Sequence, residues 1–187
     1  MPDLVTVFGG SGFIGTQVVR ALARRSARVR VAVRQPHLAH AMRLMGDVGQ
    51  VEVVQANIRD AASVARAVQG ADAVINLVGL LYESGRQTFQ SVHVDAARTI
   101  AQAAAAVGAR LVQMSALGAD PASGSRYART KAAGEAAVRE VLPSAVIVRP
   151  SIVFGPGDDF FNKFGEMAVV SPFLPLIGGG ATWFKLV

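Results

Sequence analysis

Tyr127 and Lys131 stand four residues apart in Tyr127-Ala-Arg-Thr-Lys131, in a chain that holds only two tyrosines and three lysines. On a helix this spacing puts both side chains on one face, one turn apart. A phenol titrates near pH ~10, and an ammonium within reach favours the phenolate, so the pair is a candidate general acid/base. The plain alternative is a surface pair on an amphipathic helix. A second constellation, near the start of the chain, weighs for chemistry.

Gly9-Gly10-Ser11-Gly12-Phe13-Ile14-Gly15 follows a short apolar run and opens a stretch of helical period. In that place each spaced glycine has a task. Gly9 allows a tight turn, Gly12 lets the backbone approach a pyrophosphate, and Gly15 lets the helix pack against the strand. Ser11, Phe13 and Ile14 complete the loop, where free N–H groups and the helix dipole face the phosphates. The plain alternative is a glycine-rich turn without a ligand, but its position between strand and helix favours a dinucleotide. Lys131 then suits the nicotinamide ribose.

The residue that reads the adenosine ribose is expected about 20 positions past the loop, at the end of the second strand. Arg34 is there. A carboxylate at that place would bind a 2′-hydroxyl, whereas a guanidinium pairs with a 2′-phosphate, so NADP(H) is favoured over NAD(H). The alternative is a solvated arginine at a strand end.

These residues need a frame, and the sequence supplies one. Apolar, β-branched runs at 4–8, 29–33, 51–55, 73–78, 110–115 and 145–149 alternate with helical stretches at 13–25, 38–44, 61–68, 89–107 and 127–141. Such alternation predicts right-handed crossovers and a parallel sheet covered on both faces, an α/β doubly wound Rossmann fold. After Arg149, Gly155-Pro156-Gly157, Ser171-Pro172, Pro175 and Gly178-Gly179-Gly180 interrupt every candidate element, and no seventh strand–helix unit is expected. The expected division is a dinucleotide-binding domain over 1–155 and an incomplete C-terminal substrate segment over 156–187.

Composition narrows the function further. With 51% hydrophobic and 17% charged residues, the chain is not disordered and can bury one core. Without cysteine it has no disulfide or thiolate metal site, and His37, His40 and His93 are a poor metal set, so no metal is expected. The net charge is +6, and six of the 19 cations fall between Arg20 and Arg34. Without interleaved aromatics this cluster does not read as a nucleic-acid footprint; Arg24 and Arg25 sit where a helix C-terminus favours cations. No apolar stretch approaches a transmembrane length, and no signal peptide is visible, so a cytoplasmic location is expected.

Taken with Ala56-Asn57-Ile58, Asn76-Leu77-Val78-Gly79, Gly134-Glu135 and the run from Arg149 to Pro156, these motifs resemble the extended or atypical branch of the short-chain dehydrogenase/reductase superfamily. More narrowly, residues 83–89, 125–135 and 158–162 look like bacterial relatives of the NADPH-binding accessory subunit of respiratory complex I. The resemblance implies that Asn57 and Ile58 border the adenine, that Leu77, Val78 and Gly79 line the cofactor's path, and that Pro150 and Ile152 bracket the carboxamide. It also implies that Ser115 lies at the end of the fifth strand, beside the nicotinamide. Two departures stand out: Leu117 occupies the usual position of the catalytic Ser or Thr, and His93 stands where Asn is common. Ser115, Ser123 or Ser125 would have to substitute. The resemblance also implies a further strand and a substrate domain beyond Gly178-Gly179-Gly180.

Three functions are compatible with this reading. One is an NADP(H)-holding accessory or assembly module docked on a membrane respiratory complex, peripheral on the cytoplasmic face of the inner membrane. Another is a free-standing reductase, epimerase or dehydratase acting on a nucleotide sugar or quinone-like carbonyl compound. The third is a regulator that senses NADP(H) occupancy. The substituted serine position favours the first, and the intact Tyr127–Lys131 pair favours the second.

Overall fold

The computed structural model describes residues 3–155, 157–170 and 187. The chain divides into two compact units, Met1–Arg149 and Pro150–Val187. In the first unit the elements follow in the order β1 (Leu4–Phe8), α1 (Phe13–Arg24), β2 (Arg28–Val33), β3 (Val51–Gln55), α2 (Ala61–Val68) and β4 (Ala73–Asn76). They continue as α3 (Ala96–Ala106), β5 (Arg110–Met114), α4 (Arg126–Val141) and β6 (Val146–Val148).

All six strands form one parallel sheet in the order β3-β2-β1-β4-β5-β6. β1 lies between β2 and β4, with Val5 opposite both Val29 and Ala73. Because side chains alternate along a strand, Leu4 and Phe8 point into one apolar cluster and Val5 and Val7 into the other. The first cluster joins Phe8, Val74 and Leu111 to Val64 and Val68 of α2 and Ile100 of α3. The second sets Val29 and Val31 against Val19 of α1 and Met42. Thr6 is fully buried, and its hydroxyl donates to the Ala67 carbonyl at 2.9 Å, pinning α2 to the sheet. The strand order reverses direction at β1 and β4, and in such sheets a crevice opens beyond the carboxyl ends of those two strands.

Local chemistry sets the helix starts. Asp60 caps α2 by accepting from the N–H groups of Ala62 and Ser63, and the Ser125 hydroxyl accepts from Ala128 at the start of α4. α1 starts directly after Gly12, which has no side chain to cap it, so its first-turn N–H groups are left for another acceptor.

Four expectations are corrected. The helix foreseen over 38–44 is two 3₁₀ turns, Pro36–Leu38 and His40–Met45, because Pro36 opens the segment and Ala39 breaks the helical run between them. The helix foreseen over 89–107 starts as a π-helical turn, Gln90–Asp95, before α3. β6 is an edge strand rather than a doubly covered one, with Val146 57% exposed. In the second unit, a helix not foreseen after Arg149, α5 (Asp159–Val170), follows Asp158, whose carboxylate accepts from the N–H groups of Gly155 and Phe161. The expectations at Ser171-Pro172, Pro175 and Gly178-Gly179-Gly180 lie outside the described residues.

Candidate dinucleotide and Tyr–Lys site

The turn from β1 into α1 is built by its glycines in different ways. Gly9 adopts φ +75°, in the left-handed region. A Cβ on Gly15 would stand 2.6 Å from Gly10 Cα, so the helix approaches the loop closer than any side chain permits. Gly12 is another case. Its φ is −77°, and a Cβ there would meet only the Gly9 carbonyl oxygen, at an ordinary 3.4 Å. Neither backbone strain nor packing within the protein demands glycine at 12, which fits a backbone kept bare for a pyrophosphate.

Around this turn a cleft of about 320 Å³ is lined by Gly9, Ser11, Gly12, Ala32, Val33, Arg34, Ala56, Ile58, Leu77, Val78, Gly79, Leu80, Gln87 and Val92. The strand ends that frame it are tied together: the Gly9 N–H donates to Ala32, that of Ala56 to Val33, and that of Leu77 to Phe8. Phe13, Ile14 and Gly15 form the first turn of α1 beside it. Arg34 is exposed and makes no hydrogen bond or ion pair among the described residues, leaving its guanidinium free for an anion. Asn57 is turned elsewhere: its side-chain oxygen accepts from the Arg59 N–H at 3.2 Å. Pro150 and Ile152 belong to the second unit, where Ile152 accepts from Val187 at 3.0 Å.

The cleft reaches Lys131 through Gly79, since a Cβ on Gly79 would lie 3.2 Å from Lys131 Nζ. Lys131 is 7% exposed, and its ammonium makes no hydrogen bond or ion pair among the described residues. Burial pulls its pKa down to about 8, with Glu135 acting the other way. A nearly buried ammonium without a hydrogen-bond acceptor is costly, and sugar hydroxyls would supply one. Tyr127 shares the α4 face, with Lys131 Nζ 5.8 Å from its ring centre. Here one expectation fails: burial pushes the phenol above its usual pKa, and the ammonium does not bring it down.

Ser115 is 5% exposed, and its hydroxyl donates to a Glu135 carboxylate oxygen. Glu135 also takes a two-pronged grip from Arg149, Nε at 2.8 Å and Nη2 at 2.5 Å. Burial alone would raise the Glu135 carboxyl, but the bonds from Arg149 and Ser115 outweigh it and hold it below the usual range. The Ser115 proton is therefore committed inside the fold. Ser123 and Ser125 use their oxygens to accept from Ser125 and Ala128 in the loop before α4. Leu117 is 52% exposed.

In the sequence His93 reads as a poor metal ligand and as a departure from the common Asn; in the fold it is central. It accepts from the Leu80 N–H through Nε2 at 3.1 Å, which requires Nδ1 to carry the proton shared with Thr130 Oγ1 at 3.0 Å. Its ring stacks on Phe89 and meets Tyr127 edge-on. Burial, then Lys131, lowers its pKa to about 4, so it is neutral. Leu80, Gln87 and Val92 were not foreseen as lining residues; they come from a loop and a π turn, and no motif marks them. The histidine does carry a signal in the sequence, its place at a position where Asn is common.

A doubly wound parallel sheet with a bare glycine turn and a cleft at its switch point defines a Rossmann dinucleotide-binding protein. The chain belongs to the NAD dependent epimerase/dehydratase family, whose model matches residues 5–174. It is 42% identical over 166 residues to the mouse (Mus musculus) mitochondrial protein named NADH dehydrogenase [ubiquinone] 1 alpha subcomplex subunit 9, covering 87% of this chain and 44% of that protein. It is 39% identical over 174 residues to a Caulobacter vibrioides protein named ceramide reductase, covering 93% of this chain and 54% of that one. The chain thus spans about half the length of the curated relatives it matches. Among solved structures it resembles the Bordetella bronchiseptica enzyme WbmG in complex with NAD, with a TM-score of 0.72 at 17% identity, over 89% of this chain and 59% of that one. That likeness is one of fold. Among the described residues, no helix is long and apolar enough to cross a membrane, and no group of three or more His, Asp or Glu side chains could hold a metal ion.

Proposed function

We propose that this chain is the NADP(H)-binding part of a short-chain dehydrogenase/reductase-like protein that serves as an accessory or assembly module of a respiratory NADH:quinone oxidoreductase. It would be peripheral on the cytoplasmic face of the inner membrane. The observation that carries the reading is the commitment of Ser115: its only hydroxyl proton goes to Glu135, and Leu117 replaces the usual hydroxyl two residues on. A dinucleotide site whose strand-end serine has its proton taken, with no hydroxyl two residues on, is better suited to holding than to turnover. Arg34, unpaired at the end of β2, would receive a 2′-phosphate and select NADP(H) over NAD(H). Gly9, Ser11, Gly12 and the first turn of α1 would cradle the pyrophosphate, Ile58 the adenine, and Leu77 to Gly79 the path to the nicotinamide. Residues 1–155 are then the dinucleotide-binding domain and 156–187 the start of a substrate segment.

A second reading has its own support. Tyr127 and Lys131 share one face of α4, and one relative is named a ceramide reductase. A bound NADPH supplies hydride chemistry. In an enzyme, Tyr127 would give its proton to the carbonyl oxygen, with Lys131 steadying the phenolate and the ribose. Mass identification of a nucleotide carried by the purified protein, followed by assay of its oxidation with carbonyl compounds and quinones, separates the two. Bound NADPH without turnover supports the module, and turnover with any of them supports the enzyme.

A further inference from the structure

Residues 4–46 contain seven arginines and no Asp or Glu, so the rest of the chain sums to −1. The dinucleotide reading uses only Arg34. Arg20 bonds to Gln17, and Arg30 is occupied by Glu52 and the carbonyls of Ala67 and Gln69. Arg24, Arg25, Arg28 and Arg43 are exposed, and their side chains make no hydrogen bond or ion pair among the described residues.

Topology gathers these free cations. α1 runs antiparallel to the strands, so Arg24 and Arg25 at its C-terminus and Arg28 at the start of β2 lie at the amino ends of the strands, opposite the cleft. The segment before β3 is fastened there, because the Gln50 side-chain amide donates to the carbonyls of Ala23 at 2.7 Å and Ala27 at 3.0 Å. It presents Leu44, 87% exposed, and Val48, fully exposed and the most exposed large apolar side chain among the described residues. Three carboxylates share this end of the sheet, Asp47 and, just before β1 and β4, Asp3 and Asp72, the last of which accepts from the Leu4 N–H at 2.8 Å, against the four unpaired arginine side chains.

We propose that this end of the first unit is a docking surface for an anionic lipid bilayer. Exposed Leu and Val among unpaired cations suit the boundary between headgroups and acyl chains, where apolar tips insert while arginines meet lipid phosphates. Nucleic acid is a poorer fit, because no Phe, Tyr or Trp occurs between Thr16 and Gln50 to stack on bases. The surface lies away from the cleft and does not rest on what the cleft binds, and a protein docked this way would keep the cleft open to solvent.

The test is co-sedimentation of the 187-residue chain with vesicles of phosphatidylcholine, alone or mixed with phosphatidylglycerol, at low and physiological ionic strength. Binding should require phosphatidylglycerol and weaken with salt. The triple variant Arg24→Gln, Arg25→Gln, Arg28→Gln should bind about a hundredfold more weakly, and Leu44→Ser with Val48→Ser about tenfold, both keeping wild-type melting and NADPH affinity. Equal binding to both vesicle types, or variants that sediment like wild type, overturns the proposal. So does an oligonucleotide that binds more tightly than the vesicles and ignores the Leu44 and Val48 changes. The two variants are independent, so failure of one to fold leaves the other as the readout. NADPH affinity on the same samples keeps a failure here distinct from a failure of the cofactor reading.

Discussion

Gly15 and Gly10 meet so closely that a Cβ on Gly15 would stand 2.6 Å from Gly10 Cα, whereas a Cβ on Gly12, three residues earlier, would make only ordinary contact. The two glycines should therefore fail differently. Gly15→Ala is expected to cost about 1–3 kcal/mol of stability through overpacking. Gly12→Val should melt within about 0.5 kcal/mol of wild type yet lose dinucleotide binding, read by calorimetry. A Gly12→Val protein that still binds NADPH would move the nucleotide elsewhere.

Arg34→Glu sets a carboxylate where a 2′-phosphate is expected. Loss of a charge-assisted contact amounts to about 1.5–3 kcal/mol, so NADPH affinity should fall by that much or more while NADH affinity changes little. Titration of both cofactors into both proteins checks it, and equal losses would dismiss Arg34 as the discriminator.

His93 makes the fold acid-sensitive in a defined window. Its folded pKa is lowered from 6.5 to about 4, so the unfolded chain takes up a proton below pH 6.5 that the folded chain refuses until about pH 4. This stability is present above pH 6.5 and is lost as pH falls toward 4. Between pH 7 and 5 the loss should be about 2 kcal/mol. His93→Asn removes the group, and its melting temperature should fall less than that of wild type over the same interval.

Tyr127→Phe separates holder from catalyst. An enzyme should lose about 10²–10⁴ in turnover, while NADPH affinity should weaken by at most about 0.5–1.5 kcal/mol for one ribose hydrogen bond. In cells, Gly12→Val should reduce assembled respiratory complex and Tyr127→Phe should not. Normal assembly together with loss of an NADPH-dependent reductase activity in Tyr127→Phe would favour the enzyme.

What was legible in the sequence was what is local. The periodic runs mark all six strands, and Gly9 to Gly15 announces its own turn, because strand, loop and helix are contiguous there. Arg34 follows from that turn by its distance along the chain. The Ser115–Glu135–Arg149 lock was not legible, since it joins β5, α4 and the end of β6 across the fold, and only packing reveals that the serine proton is taken. His93 likewise gains its role from Leu80, Phe89, Tyr127 and Thr130. Spacing along the helix fixes the shared face of Lys131 and Tyr127 but not their coupling, because burial governs the titration of each group.

The placement of β1 between β2 and β4 also constrains the order in which a ribosome can produce a working cleft. β1 emerges first, and its pairing with β2 closes a short loop, Leu4 to Arg28. Its other partner begins at Ala73, opposite Val5, and the wall formed by Leu77, Val78 and Gly79 comes only after it. A nascent chain shorter than that has the phosphate turn but no facing wall. During the earliest steps nucleotide meets only part of its site, and the slow, long-range closure of β1 onto β4 must come before the complete cleft can stabilise the fold.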